Sequence, residues 1–193
     1  MDAGGSPGLR LFAAVDVPTR QKASVEAAIG PMKAVVPGAR WTSPATWHVT
    51  LKFFGEVPEP WLEGIREGIG HALAGTGPVE SRLMDVGAFP NITRARVLWV
   101  GVDDSAGALK ALAERINREC VFVEERPLHA HLTLARLKVP ADLRSVIERF
   151  GPFDLDRDAF VIDRVTLFRS YTERSGSRYE QLGSWALSTG ESL

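Results

Sequence analysis

The sequence predicts an α+β fold built on largely antiparallel sheets. Short apolar runs with strand-like alternation are interleaved with longer runs whose apolar residues recur at three- and four-residue spacing. The order of these runs has no strict β-α-β rhythm, which argues against a wholly parallel sheet. The pattern of the first half also returns in the second, with no long linker between them.

Taken in order, Leu9–Asp16 reads as a compact apolar strand punctuated by Pro18. From Thr19 the spacing turns helical, with Val25, Ala28, Ile29 and Met32 on one face. A second strand covers Thr46–Phe54 and closes at Gly55. Trp61, Leu62, Ile65, Ile69, Ala72 and Leu73 trace a second helix, weakened by Gly64, Gly68 and Gly70. Strands follow over Val79–Gly87 and Arg96–Val102, then a third helix through Leu109, Leu112, Ala113, Ile116 and Cys120, with Asp104 or Ser105 as its N-cap. Leu128–Leu137 is a strand, and Leu143, Val146, Ile147 and Phe150 form a short helical stripe. Phe160–Ser170 and Tyr179–Leu187 then pair as a hairpin across the polar turn around Ser175-Gly176-Ser177.

Composition narrows the function. The chain has 193 residues, 23 Lys+Arg against 24 Asp+Glu, and one cysteine. That length suits a single domain, here with two internal repeats spanning 1–193. A near-neutral balance excludes a protein whose main task is coating duplex nucleic acid, though not a local basic site. Cys120 alone makes neither an intramolecular disulfide nor a thiolate metal cage. No apolar run approaches a membrane span, and Met1–Gly8 lacks the basic and apolar regions of a secretory signal. The expected location is cytoplasmic.

The repeat carries the chemistry. His48-Val49-Thr50-Leu51 and His131-Leu132-Thr133-Leu134 both lie in strand-like runs, 83 residues apart. In a strand, residues i and i+2 share a face, so each motif presents an imidazole and a hydroxyl on one side and buries its apolar neighbours on the other. A single His-x-Thr would read as structural. Two copies in matching contexts, related by a pseudo-two-fold axis, would face each other across a cleft. One imidazole can then give a proton while the other takes one, and the hydroxyls can hold an anion's oxygens. Metal-free phosphodiester cleavage suits that set.

These paired motifs resemble those of the two-histidine (2H) phosphoesterase superfamily, and more closely its RNA 2′,3′-cyclic phosphodiesterase branch, also called 2′-5′ RNA ligase-like. The likeness covers nearly the whole chain. It includes Arg10-Leu11-Phe12-Ala13-Ala14, Trp47 through Gly55, Arg96 through Val102, His131 through Arg136, and Ser170, Gly176, Tyr179 and Leu182. The resemblance implies a bilobal α+β fold, with two mainly antiparallel sheets around a central cleft and helices outside. It implies hydrolysis of an RNA terminal 2′,3′-cyclic phosphate to a 2′-phosphate with no metal or other cofactor. His48 would be the proton donor and His131 the proton acceptor. Thr50, Thr133 and Arg136 would bind the phosphate. RNA ends or nucleotides bearing the cyclic phosphate are the implied partners; no protein partner and no membrane partner is indicated.

Physical reasoning qualifies some of these assignments. Strict alternation puts Arg136 opposite His131 and Thr133, so it reaches the phosphate only if the strand bulges or ends near Ala135, or its side chain bends round the edge. Otherwise it makes a salt bridge. Alternation likewise sends Phe53 to the core and sets Lys52 and Phe54 on the His48 face; if the strand twists at its end, either aromatic, Phe53 or Phe54, can stack on a base. Arg94 and Arg96 are placed to track RNA phosphates. His129-Ala130-His131 has a spacing used by some metal sites, but the strand offers no third ligand. Two other functions remain consistent with the residues: a 2′-5′ RNA ligase running the same site in reverse, and a non-catalytic RNA-end-binding module.

Overall fold

In a computed structural model of the chain, residues 8–36, 38–120, 127–173 and 176–189 are described. Ten strands and four helices run in the order β1 (Leu9–Val15), α1 (Thr19–Ile29), β2 (Ala39–Trp41), β3 (Val49–Val57), α2 (Leu62–Leu73), β4 (Val79–Ser81) and β5 (Leu83–Phe89), then β6 (Ala95–Val102), α3 (Ala108–Glu119), β7 (His131–Ala141), α4 (Arg144–Phe150), β8 (Phe160–Ile162), β9 (Arg164–Thr172) and β10 (Ser177–Ala186). The fold is α+β and its sheets are antiparallel. Eight strands form one sheet, ordered β10-β9-β1-β3-β7-β6-β5 with β2 also on β7; β4 and β8 form a second, two-stranded sheet. Ser175 of the expected hairpin turn lies outside the described residues.

The element order is that of two similar units whose last strands change places. The first unit runs β1-α1-β3-α2-β4-β5 and the second β6-α3-β7-α4-β8-β9. Yet β5 pairs with β6, and β9 pairs with β1. The expected strands Val79–Gly87 and Phe160–Ser170 each break, at Arg82 and Asp163, because their first segments leave the large sheet and pair with each other as β4 and β8.

The halves β10-β9-β1-β3 and β2-β7-β6-β5 meet where Val49 pairs with Leu132. Among the described residues this is the one pair joining β3 to β7. Both side chains are fully buried, and with Leu11, Ala13, Val15, Leu51, Leu98, Val100 and Leu134 they form the sheet's helix-facing side. Val25 and Ile29 of α1, Ile65 and Ile69 of α2, and Leu109, Leu112 and Ile116 of α3 pack on it. The α3 start is capped by Asp104, whose carboxylate accepts the N–H groups of Leu109 and Lys110 at 2.7 and 2.9 Å. The other face of the sheet carries no helix-facing core residue, and the histidines project there.

Each central strand contains an extra residue just past its motif. Ala14 pairs with Thr50 and Ala13 with Lys52, so Leu51 is skipped. Trp99 pairs with Thr133 and Leu98 with Ala135, so Leu134 is skipped. Such a bulge inverts the alternation that follows. On β5, Gly87 lies beneath the Trp99 ring; a Cβ there would stand 2.3 Å from two of its carbons. Gly87→Ala should therefore destabilise the protein by about 1–3 kcal/mol through overpacking. A thermal midpoint equal to wild type would refute that reading.

Candidate active site

The Val49–Leu132 pair sets the geometry of the site. In an antiparallel ladder its flanking residues face the other way, so His48 lies across from Thr133 and Thr50 across from His131. The four side chains stand around this pair as the corners of a rectangle, on the face opposite Val49 and Leu132. The two imidazoles sit on a diagonal, near enough for His131 to act electrostatically on His48.

Both rings are oriented by the backbone. His48 Nδ1–H donates to the Thr46 carbonyl at 2.8 Å, and His131 Nδ1–H donates to the His129 carbonyl at 2.6 Å. A carbonyl can only accept, so in the neutral ring Nδ1 carries the proton and Nε2 is left with its lone pair. Each imidazole also sits among aromatics that the sequence does not mark as a group. His48 stacks on Phe12 at 4.7 Å and meets Tyr179 edge-on at 5.2 Å, with Phe168 at 6.2 Å. His131 lies 5.1 Å from Phe89 and 6.1 Å from Trp99, whose ring also touches His129 at 4.5 Å.

This enclosure lowers the basicity of both. Burial pushes His48 down to about 4, with Lys22 and His131 adding to the effect and the bond to Thr46 opposing it. Burial also lowers His131, with His129 and Arg136 reinforcing the shift against the bond to the His129 carbonyl. Near neutrality both imidazoles are thus uncharged.

The bulges decide what joins them. Past Leu51 the alternation reverses: Phe53 stands exposed with its ring 5.9 Å from Phe12, while Phe54 is buried in the core. This corrects the expectation that Phe53 goes inward and Phe54 shares the His48 face. Phe54 is a core residue and not a base contact. Lys52 also turns inward, buried near Cys120. The same inversion on β7 buries Leu134 and Ala135 side by side and brings Arg136 out, paired with Val97 on the Trp99 face. Of the three routes considered for Arg136, the bulge is the one observed. Arg136 and Phe53 are equivalent positions in the two repeats, each five residues past its histidine.

The carbonyls around the β7 bulge are held by Thr42, at the end of β2. Its N–H donates to the Leu134 carbonyl at 2.8 Å, and its Oγ1 lies 2.7 and 2.8 Å from the carbonyls of Thr133 and Leu134 while accepting from Trp47 Nε1 at 2.8 Å. Arg94 and Arg96 are not brought to the histidines. Arg94 ends an exposed 3₁₀ turn, and Arg96 donates to the Lys138 carbonyl at the start of β6. Among the described residues, no three His, Cys, Asp or Glu side chains come together as a metal ligand set, and no helix is long and apolar enough to cross a membrane.

The fold and site define a class: an antiparallel α+β protein presenting two His-x-Thr strands on one face. Residues 24–174 match the family described as the 2′-5′ RNA ligase superfamily, and the chain belongs to that family. It is 28% identical to the RNA 2′,3′-cyclic phosphodiesterase of Methanocaldococcus jannaschii over 92% of this chain and all of that one. It is 34% identical to the protein of the same name from Thermus thermophilus over 69% and 71% of the two chains. Among solved structures, E. coli LigT complexed with 3′-AMP superposes with a TM-score of 0.74 at 25% identity, covering 94% of this chain and 99% of that one.

Followed by NMR, the His48 ring should titrate with a midpoint near 4 and His131 below 6.5, and both should show the Nδ1–H tautomer at higher pH. A His48 midpoint at or above 6.5 would overturn the enclosure argument.

Proposed function

We propose that the protein is a phosphoric diester hydrolase that opens an RNA terminal 2′,3′-cyclic phosphate to a 2′-phosphate without a metal, with the paired histidines as acid and base. The observation that carries this is the rectangle of two imidazoles and two hydroxyls around Val49–Leu132, with Arg136 turned onto the same face. Relatives at 28% and 34% identity carry the name RNA 2′,3′-cyclic phosphodiesterase, which supports the substrate.

The substrate's phosphate sits over the rectangle. Thr50 and Thr133 donate to its non-bridging oxygens, and Arg136 neutralises its charge. In-line displacement needs base and acid on opposite sides of phosphorus, as the diagonal provides. His131 removes a proton from water as it attacks; His48 gives a proton to the departing 3′ oxygen, leaving the phosphate on the 2′ oxygen. One asymmetry supports this assignment: the His48 ring stacks on Phe12, whose face attracts a cation. Phe53, at the rim of that aromatic wall, stacks on the terminal base.

His48→Ala and His131→Ala should each lower kcat roughly 10²–10⁴-fold on a cyclic-phosphate oligonucleotide in chelator, with the double variant far from additive. Phosphorus NMR should show a 2′-phosphate; a 3′-phosphate product would exchange the two roles. A wild-type protein that binds without turnover would instead be an RNA-end-binding module, and one that joins a 5′-hydroxyl end with net formation of a 2′-5′ bond would be a ligase.

The acidic shifts also set a pH dependence. Catalysis needs one imidazole charged and one free, so kcat/KM should peak where the pair holds one proton. With the free protein's values about 4 for His48 and below 6.5 for His131, that maximum falls on the acidic side of neutrality. The kcat profile should lie at higher pH, because bound phosphate raises both. A kcat/KM maximum above pH 7 would contradict the assignment.

A further inference from the structure

The two histidines have different neighbours on their outer sides. In the register of β1 on β3, Ala14 pairs with Thr50 and Val15 with Val49, so the next step sets Asp16 across from His48. Val15 and Val49 are buried in the helix-facing core, which leaves Asp16 and His48 on the opposite face. In the second repeat Val100 pairs with Leu132, and the matching step sets Gly101 across from His131. A carboxylate thus flanks one ring at the position where the other has no side chain.

Asp16 is held in place. Its Oδ1 accepts the Val17 N–H at 2.9 Å and the Lys22 ammonium at 2.5 Å. Lys22 stands in the first turn of α1 with its side chain mostly buried, while that of Asp16 is exposed. After burial, Lys22 and Asp16 are the charges that act most on His48, in opposite senses. Tyr179 meets the ring edge-on from β10, His131 acts on it from β7, β9 contributes Phe168, and the turn Pro44–Thr46 contributes the Thr46 carbonyl. On the far side of Asp16 the ladder leads to Arg164 of β9, whose guanidinium is bonded to Asp163 at 3.1 Å. Burial apart, the charges acting on His131 are His129 and Arg136, both of which oppose a proton there.

Catalysis by this pair needs its one proton on His48 and not on His131. A negative charge beside His48 favours that placement, and the ammonium bound to the same carboxylate moderates it. We propose that Asp16 is a positioning residue that draws the shared proton to His48, and so assigns the acid and base roles within a symmetric frame, with Lys22 limiting the effect. This inference rests on the hydrolase reading. Asp16 acts through His48 and takes no part in bond making.

Asp16→Asn keeps an acceptor for the Val17 N–H and removes the charge; Lys22→Gln removes the opposing one. The ring titrations are followed by NMR in saturating inorganic sulfate, an anion whose charge is constant over the range. Asp16→Asn should lower the His48 midpoint by about half to one pH unit, and Lys22→Gln should raise it by about as much. The double variant should return near wild type, with His131 moving less in each. On a cyclic-phosphate oligonucleotide, kcat should fall about 3- to 10-fold in Asp16→Asn with KM little changed, and should hold or rise in Lys22→Gln. Disturbed packing would instead move both variants in one direction and lower their thermal midpoints. A His48 midpoint unmoved by Asp16→Asn, or shifts of the same sign in the two variants, would overturn the proposal and leave the hydrolase reading standing. Absence of turnover by wild type would overturn the hydrolase reading and the assignment of roles with it.

Discussion

A strand alternates faces with a period of two, and one inserted residue exchanges the faces of everything beyond it. Here the insertion occurs at corresponding positions of β3 and β7, one residue past each His-x-Thr pair. Without it the exposed face beyond Thr50 and Thr133 would receive Lys52 and Ala135. With it, that face receives Phe53 and Arg136, and two consecutive residues of each strand are buried. Thr42 takes up the carbonyls this leaves around Leu134, so the bulge on β7 is tied to Trp47, the neighbour of His48. The two halves of the site are therefore fastened to each other through the Trp47 indole and the Thr42 hydroxyl, and not only through the substrate they would share.

The same positions make a symmetric frame chemically asymmetric. A ring at one corner and a guanidinium at the equivalent corner give the cleft an apolar end and a cationic end. Around the imidazoles, the aromatic walls remove water, and this costs the charged form of each histidine. Such an environment strengthens any interaction with an arriving phosphate, because the attraction acts through a medium less polar than water. A site that holds both rings neutral when empty spends part of its binding energy on setting their protonation state.

What could be read in the sequence was local. The His-x-Thr spacing fixes a shared face over three residues whatever the rest of the fold does, and the apolar stripes of α1, α2 and α3 follow from helical periodicity alone. The faces beyond Leu51 and Leu134 were not legible, because the bulges are set by pairing with β1 and β6, far along the chain. That is why Phe54 was placed at the site and belongs to the core, and why Arg136 hung on a condition. The aromatic walls were hidden for a related reason: Phe12, Phe168 and Tyr179 come from β1, β9 and β10, which only the sheet brings together.

The exchange of β5 and β9 between the repeats has a consequence for how the chain assembles. Neither repeat contains the strands needed to complete its own half of the large sheet, so neither has an edge that its own residues close. The β1–β9 pairing joins the two ends of the chain, and loop-closure entropy must be overcome before it forms, whereas β5 and β6 pair as a short hairpin across the boundary between the repeats. The topology is that of a strand-swapped pair whose two members share one polypeptide. Cleaving the chain between β5 and β6 would thus yield two fragments with incomplete half-sheets, β1–β3 in the first and β6–β7 and β9–β10 in the second, that have to find each other to complete them. The site at their junction exists in the assembled molecule or not at all.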